Sequence, residues 1–138
     1  MDDDLERYVR AQGPVYETVL RELRAGRKET HWMWFVFPQL RGLGRSEMAR
    51  FYGIASLEEA RAYLVHPVLG TRLRECASIV AASPATSATA IFGGTDALKL
   101  RSSMTLFHRA APDEPVFLRV LEKHHGGAPD RRTDELLA

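Results

Sequence analysis

A chain of 138 residues is long enough for one domain with its own core and short for two. Its 45% hydrophobic and 27% charged content is that of an ordinary globular protein, and nineteen basic against eighteen acidic residues leave a net charge of +1, without the basic excess that a binder of duplex nucleic acid carries. One cysteine, Cys76, excludes an internal disulfide and a multi-cysteine zinc site, and no apolar run approaches the roughly 20 residues that cross a bilayer.

The start, MDDDLERY, is acidic where a signal peptide is basic and then apolar, so a cytoplasmic protein is expected, as a monomer or homodimer. The first helix is predicted to begin within Asp2 to Asp4 and to end at Gly13-Pro14. A second runs from about Pro14 to Arg24, with Val15, Val19, Leu20 and Leu23 on one side and Gly26 as C-cap. Residues 31–37 alternate as a strand does, yet such an unbroken apolar run also suits a buried helical turn. With no strand partner elsewhere, helix or irregular extended chain is favoured.

Ser46 is placed to cap a short helix to Tyr52, and Ser56-Leu57-Glu58-Glu59 reads as a capping box for a helix to about Val65. His66-Pro67 stops that helix, and Leu69, Leu73, Cys76 and Val80 then form the apolar stripe of the next, with Cys76 as a small core residue. Residues 83–90, SPATSATA, read as a polar loop. Thr95 or Asp96 caps a helix to about Ala111, another spans Asp113 to His125, and a short one follows Thr133. The sum over 1–138 is a single all-α domain, a compact bundle of about seven short-to-medium helices.

Two constellations carry possible chemistry. At about 100° per residue, Ala97, Leu100, Met104, Phe107 and Ala111 form one apolar arc of the helix from Asp96, with Asp96, Lys99 and Ser103 immediately beside it. Those three can meet one ligand, or Asp96 and Lys99 can simply pair along the helix. The free amides near Gly93-Gly94-Thr95 suit an anion, although the spacing is not that of a P-loop.

The other constellation is KETHWMWFVFPQLRGLG, residues 28–44, which holds both tryptophans. Trp32 and Trp34 either anchor the core or form a stacking wall, with Lys28 and His31 at its polar mouth and Gln39 beyond Pro38. Gly42 and Gly44 allow tight turns or close approach of a ligand. A metal is not expected, since the adjacent His124 and His125 diverge on a helix and no HExxH is present. A relay of Ser102 or Ser103 with a histidine and Asp96 lacks a GxSxG elbow.

The stretches AQGPVYETVLRELRAGRKETHWMWFVFPQLRGLGRSEMARFYGI, EEARAYLVHPVLGTRL and IFGGTDALKLRSSMTLF closely resemble the bacterial family of unknown function number 1810, often labelled calpastatin-like. The resemblance runs from about Leu5 to Leu136 and implies a mostly helical domain with no established activity. Matching its motifs highlights Lys28, His31, Trp32, Trp34, Gln39, Arg72, Asp96, Lys99 and Ser103, among others. Asp96-x-x-Lys99 is also loosely similar to a segment of NADAR-type domains, which act on ADP-ribose-linked nucleotides. Their Trp-x-Ser-x-Glu-His segment has no counterpart here.

The expected function is binding of a small, anionic, planar ligand, nucleotide-like or related to ADP-ribose. Trp32 and Trp34 would stack on it, Gln39 and Ser103 would contact it, and Lys28, Arg72 and Lys99 would hold its phosphate. No cofactor is expected. If the ligand is turned over, N-glycosidic hydrolysis with His31 or Asp96 as acid/base is the expected reaction, His31 because its ordinary pKa is near neutrality. The alternative is an interaction module that docks a partner through the aromatic segment 32–37.

Overall fold

Across residues 4–138, which the computed structural model describes, every regular segment is helical. The order is α1 (Glu6–Gln12), a 3-10 turn (Gly13–Val15), α2 (Tyr16–Arg24), α3 (Met33–Val36), α4 (Glu47–Phe51), α5 (Leu57–Val65), α6 (Leu69–Ala82), α7 (Ala88–Phe92), α8 (Gly94–Ala110), α9 (Pro115–His125) and α10 (Arg131–Leu137). The all-α expectation holds, but these are more helices than the seven or so expected. The excess comes from single turns such as α3 and α7, too short to show a hydrophobic period.

The long helix α8 is the hub, packed against α5, α7, α9 and α10, while α6 lies against α2, α5 and α9. From Ser102 to Phe107 every residue of α8 is buried, so its middle has no solvent face. In a helix enclosed all round, hydroxyl groups can donate back to their own backbone. Ser102 Oγ donates to the Leu98 carbonyl at 3.2 Å and Thr105 Oγ1 to that of Arg101 at 2.8 Å.

The local signals form the ends they predict in most places. Ser46 Oγ accepts from the Ala49 amide at 3.1 Å, and Ser56 Oγ accepts from the Glu59 amide at 3.1 Å. The capping box is shifted by one residue, because Glu59 Oε1 takes the amide of Ala55 at 2.7 Å. His66 is extended and its Nδ1 accepts from the amides of Val68 and Leu69, both at 3.2 Å, so it ends α5 and caps α6. Gly26, at φ 72°, closes α2 with the Arg27 amide donating back to the Glu22 carbonyl at 3.0 Å.

Other expectations need correction. Asp2 and Asp3, proposed to open the first helix, lie outside the described residues, and α1 begins at Glu6. Gly13-Pro14 ends α1 as expected, and the chain then turns through the 3-10 segment, so α2 starts at Tyr16 and not at Pro14. SPATSATA is not all loop, since Ser87 Oγ accepts the Ala90 amide at 3.2 Å and starts α7. Neither Thr95 nor Asp96 caps α8: the helix starts at Gly94, with Gly93 at the N-cap and no side-chain bond. α10 starts two residues before Thr133, with Asp130 as its cap.

Residues 31–37 are one helical turn, α3, within irregular chain. The segment after it is stitched to residues 52–54 by an isolated bridge, in which Arg41 N donates to the Ile54 carbonyl at 2.7 Å and Ile54 N to that of Gln39 at 2.8 Å. No helix of the described residues is long and apolar enough to cross a membrane.

Candidate functional site

The loop that carries the tryptophans is held from below by one carboxylate. Glu22, 6% exposed, accepts the amides of Glu29 at 2.9 Å and Thr30 at 3.1 Å, the Thr30 hydroxyl at 2.7 Å and the Trp32 indole N–H at 2.9 Å. Burial works against its charge, but the bonds from Glu29, Thr30 and Trp32 outweigh that and hold the carboxyl down at about 2. With its N–H donated inward, the Trp32 ring sits 6.3 Å from Phe37 and 6.4 Å from Phe92 and is 1% exposed. Trp32 is therefore a core residue, and its expected stacking role is corrected: no ligand reaches an enclosed ring.

Lys28 is also turned inward. Its side chain is 7% exposed, with Nζ 2.9 Å from Asp96 Oδ2, 2.6 Å from the Thr30 carbonyl and 5.0 Å from the centre of the Trp32 ring. The Lys28 amide donates to Ile91 at 2.8 Å, so this residue ties the loop to both α7 and α8. Its ammonium is spent on the fold and is not presented to a ligand. Asp96 is correspondingly occupied. Its Oδ2 faces Lys28 and its Oδ1 lies 3.9 Å from Lys99 Nζ.

Lys99 thus joins the two constellations that the sequence proposed. Its Nζ is 5.2 Å from the centre of the partly buried Trp34 ring, and its contact to Asp96 is long. On the Trp34 side only a gap of about 10 Å³ remains, lined by Trp34, Phe37, Gln39, Tyr52 and Lys99 among others, room for no more than a water. Trp34 is not an open stacking wall.

On the outer side of Lys99 lies a cavity of about 300 Å³ that also uses Gln39. The loop supplies Leu43 and Gly44, α8 supplies Thr95, Leu98 and Ser102, and the start of α10 supplies Asp130 and Arg132. Gly44 is required for the loop to close over α4, since a Cβ there would stand 2.5 Å from that of Ala49. The α10 side is braced: Arg109 grips both carboxylate oxygens of Asp134 at 2.8 Å, and Arg101 Nε donates to the Ala128 carbonyl at 3.0 Å.

The other expected site residues fall elsewhere. His31 is exposed on the loop and lines neither space, and Asp96 is committed to Lys28, so the expected acid/base pair does not face a common ligand. Ser103 is fully buried, with no hydrogen-bond partner for Oγ among the described residues. Its neighbour Ser102 faces the cavity instead. Arg72 is on α6, stacked 4.7 Å over Tyr16 and donating to Gln12 Oε1 at 3.3 Å, apart from Lys99. Cys76 is fully buried and burial pushes its thiol up to about 12, which leaves it inert.

Sequence reasoning missed Asp130 and Arg132, which follow Lys99 by about one helix hairpin. The available signal was Asp130-x-x-Thr133, an N-cap pattern whose place in space depends on how α9 folds back on α8. Among the described residues no group of three or more His, Cys, Asp or Glu is placed to hold a metal ion.

Residues 2–137 match the family described as a protein of unknown function, DUF1810. The chain belongs to that family. No curated protein matches it. Among solved structures it is similar to the crystal structure of the conserved hypothetical protein Rv1873 from Mycobacterium tuberculosis, with 59% identity and a TM-score of 0.95 over 97% of this chain and 96% of that one. The likeness to NADAR-type domains finds no support in these comparisons.

Proposed function

We propose that this DUF1810 protein binds a small anionic ligand of nucleotide type in the cavity between the 39–44 loop, α8 and the start of α10. The observation that carries the reading is that Lys99 and Arg132 line one space of about 300 Å³ together with Gln39, Ser102 and Asp130. Two cations outnumber the one carboxylate and, with the neutral polar groups, suit a phosphate that is part of a larger molecule. Lys99 is held only by a 3.9 Å contact and an aromatic face, so an incoming anion competes well for it.

The volume is at the small end of ligand pockets, which span about 300–1,000 Å³. It suits a mononucleotide, or one half of an ADP-ribose-like molecule with the remainder outside. Leu43 and Leu98 offer the flat apolar cover for a base that the tryptophans do not. His31 and Asp96 line neither space, so the acid/base pair expected for turnover does not face this cavity. Segment 32–37 offers little to a docking partner, because Trp32, Met33, Phe35, Val36 and Phe37 are buried and Trp34 is partly buried.

The test is calorimetric titration with AMP, ADP-ribose and NAD of wild type and of the Lys99→Ala, Arg132→Ala and Arg72→Ala variants. Saturable binding that weakens about tenfold or more in the first two variants, and stays unchanged in the third, is expected. Equal binding by all four proteins, or none by wild type, rejects this cavity as the site.

A further inference from the structure

We infer that Asp130 reads the ligand's hydroxyl groups, which narrows the ligand class to phosphorylated sugars with a free vicinal diol, such as the ribose 5′-phosphate unit of a mononucleotide. The inference rests on the reading of the cavity given above.

Asp130 is fixed in three ways. Its amide donates to Thr105 Oγ1 at 2.8 Å, and its Oδ2 accepts the Thr133 amide at 3.0 Å and the Thr133 hydroxyl at 2.6 Å. Both threonines are fully buried. All the side-chain bonds end on Oδ2. Oδ1 accepts no hydrogen bond among the described residues, and the residue lines the cavity.

Capping α10 occupies Oδ2, and the helix N-terminus favours the charge, which leaves Oδ1 unbonded among the described residues in a side chain that lines the same cavity as Lys99 and Arg132. A carboxylate at that place repels bare phosphate and favours a molecule that is anionic at one end and rich in donors at the other. An ionised carboxylate only accepts, so the complementary group is a hydroxyl or amine, and two adjacent hydroxyls share it best. Because Thr105 and Thr133 hold Asp130 before any ligand arrives, the contact costs little ordering on binding. A site built to pair with a hydroxyl rejects the analogue without it more strongly than an apolar site selects by size.

The experiment is titration of AMP, 2′,3′-dideoxy-AMP and inorganic phosphate into wild type and Asp130→Asn. Asparagine keeps the cap and a similar shape while removing the charge, and urea unfolding checks that α10 stays in place. Wild type is expected to bind AMP at least about tenfold more tightly than the dideoxy analogue, the difference worth one hydrogen bond to a charged acceptor. Asp130→Asn is expected to bind the two within about twofold of each other, and phosphate no less tightly than wild type does. Equal affinity of wild type for AMP and the analogue, or a preference that survives in Asp130→Asn, overturns the role of Asp130 and leaves the cavity reading standing. Failure of wild type to bind any of the three removes both.

Discussion

Two lysines on either side of Asp96 show how different two similar residues become once folded. Lys28 is buried, close to Asp96 and bonded to a backbone carbonyl, and the tryptophan beneath it is enclosed. Lys99 reaches the same carboxylate only at 3.9 Å, lies over a partly buried tryptophan and opens onto a cavity. One side of the carboxylate is closed, and the other opens onto the cavity. The difference lies in how many partners each ammonium already has.

The sharpest way to break this comparison is to truncate each tryptophan. Trp32→Ala leaves a cavity among Phe37 and Phe92 and strips a donor from Glu22, so a loss of about 3–5 kcal/mol is expected in urea unfolding. Trp34→Ala is expected to cost less than half of that, and equal losses for both would contradict the division drawn here.

Acid offers a second handle on the closed side. Glu22 has a folded value of about 2 against an ordinary 4.5, so its contribution is complete above pH 4.5 and drains away as pH falls toward 2. A shift of that size corresponds to about 3 kcal/mol. His125 adds an earlier limb. Burial, with Arg101 and His124 nearby, pushes it down to about 4 from 6.5, so the folded state favours the neutral ring. That stability is present above pH 6.5 and is lost as pH falls from there toward 4. Stability measured from pH 8 to pH 2 should therefore decline in two steps. Glu22→Gln should shrink the lower step, to which Glu114 and Asp134 also contribute through their arginine partners, and His125→Gln the upper one, to which partly buried His108 adds. A flat profile down to pH 4 in wild type would remove the second effect.

The lysines themselves separate more finely. Lys28→Met leaves a partly buried Asp96 without its close partner and should cost about 2–3 kcal/mol. Lys99→Met should cost under about 1 kcal/mol, as weakly held pairs do, while removing the anion affinity of the cavity. Stability that depends more on Lys99 than on Lys28 would reverse the assignment of the two sides.

What was legible beforehand follows the range of the forces involved. The caps at Ser46 and Ser56 and the stop at His66 depend on atoms within four residues, and the Leu69–Leu73–Cys76–Val80 face needs only the helical period. The pairing of Asp96 with Lys99 along α8 is legible for the same reason, since it needs only the helical period. The burial of Ser103 is not, because the wheel shows which face a residue occupies, not what covers that face. Short helices such as α7 escaped because a single turn has no period to read.

By itself the sequence determined a helical chain, most of its helix ends, an inert core cysteine and membership of a family, all of which are written in neighbouring residues or in the order of motifs. Tertiary folding sets which of Lys28 and Lys99 opens onto the cavity, encloses Trp32, places Arg72 apart, and brings Asp130 and Arg132 to the cavity wall. The physical reason is that burial and long-range pairing are properties of distance in space. Residues 30 or more apart in the chain acquire those distances only when α5, α7, α9 and α10 pack around the middle of α8.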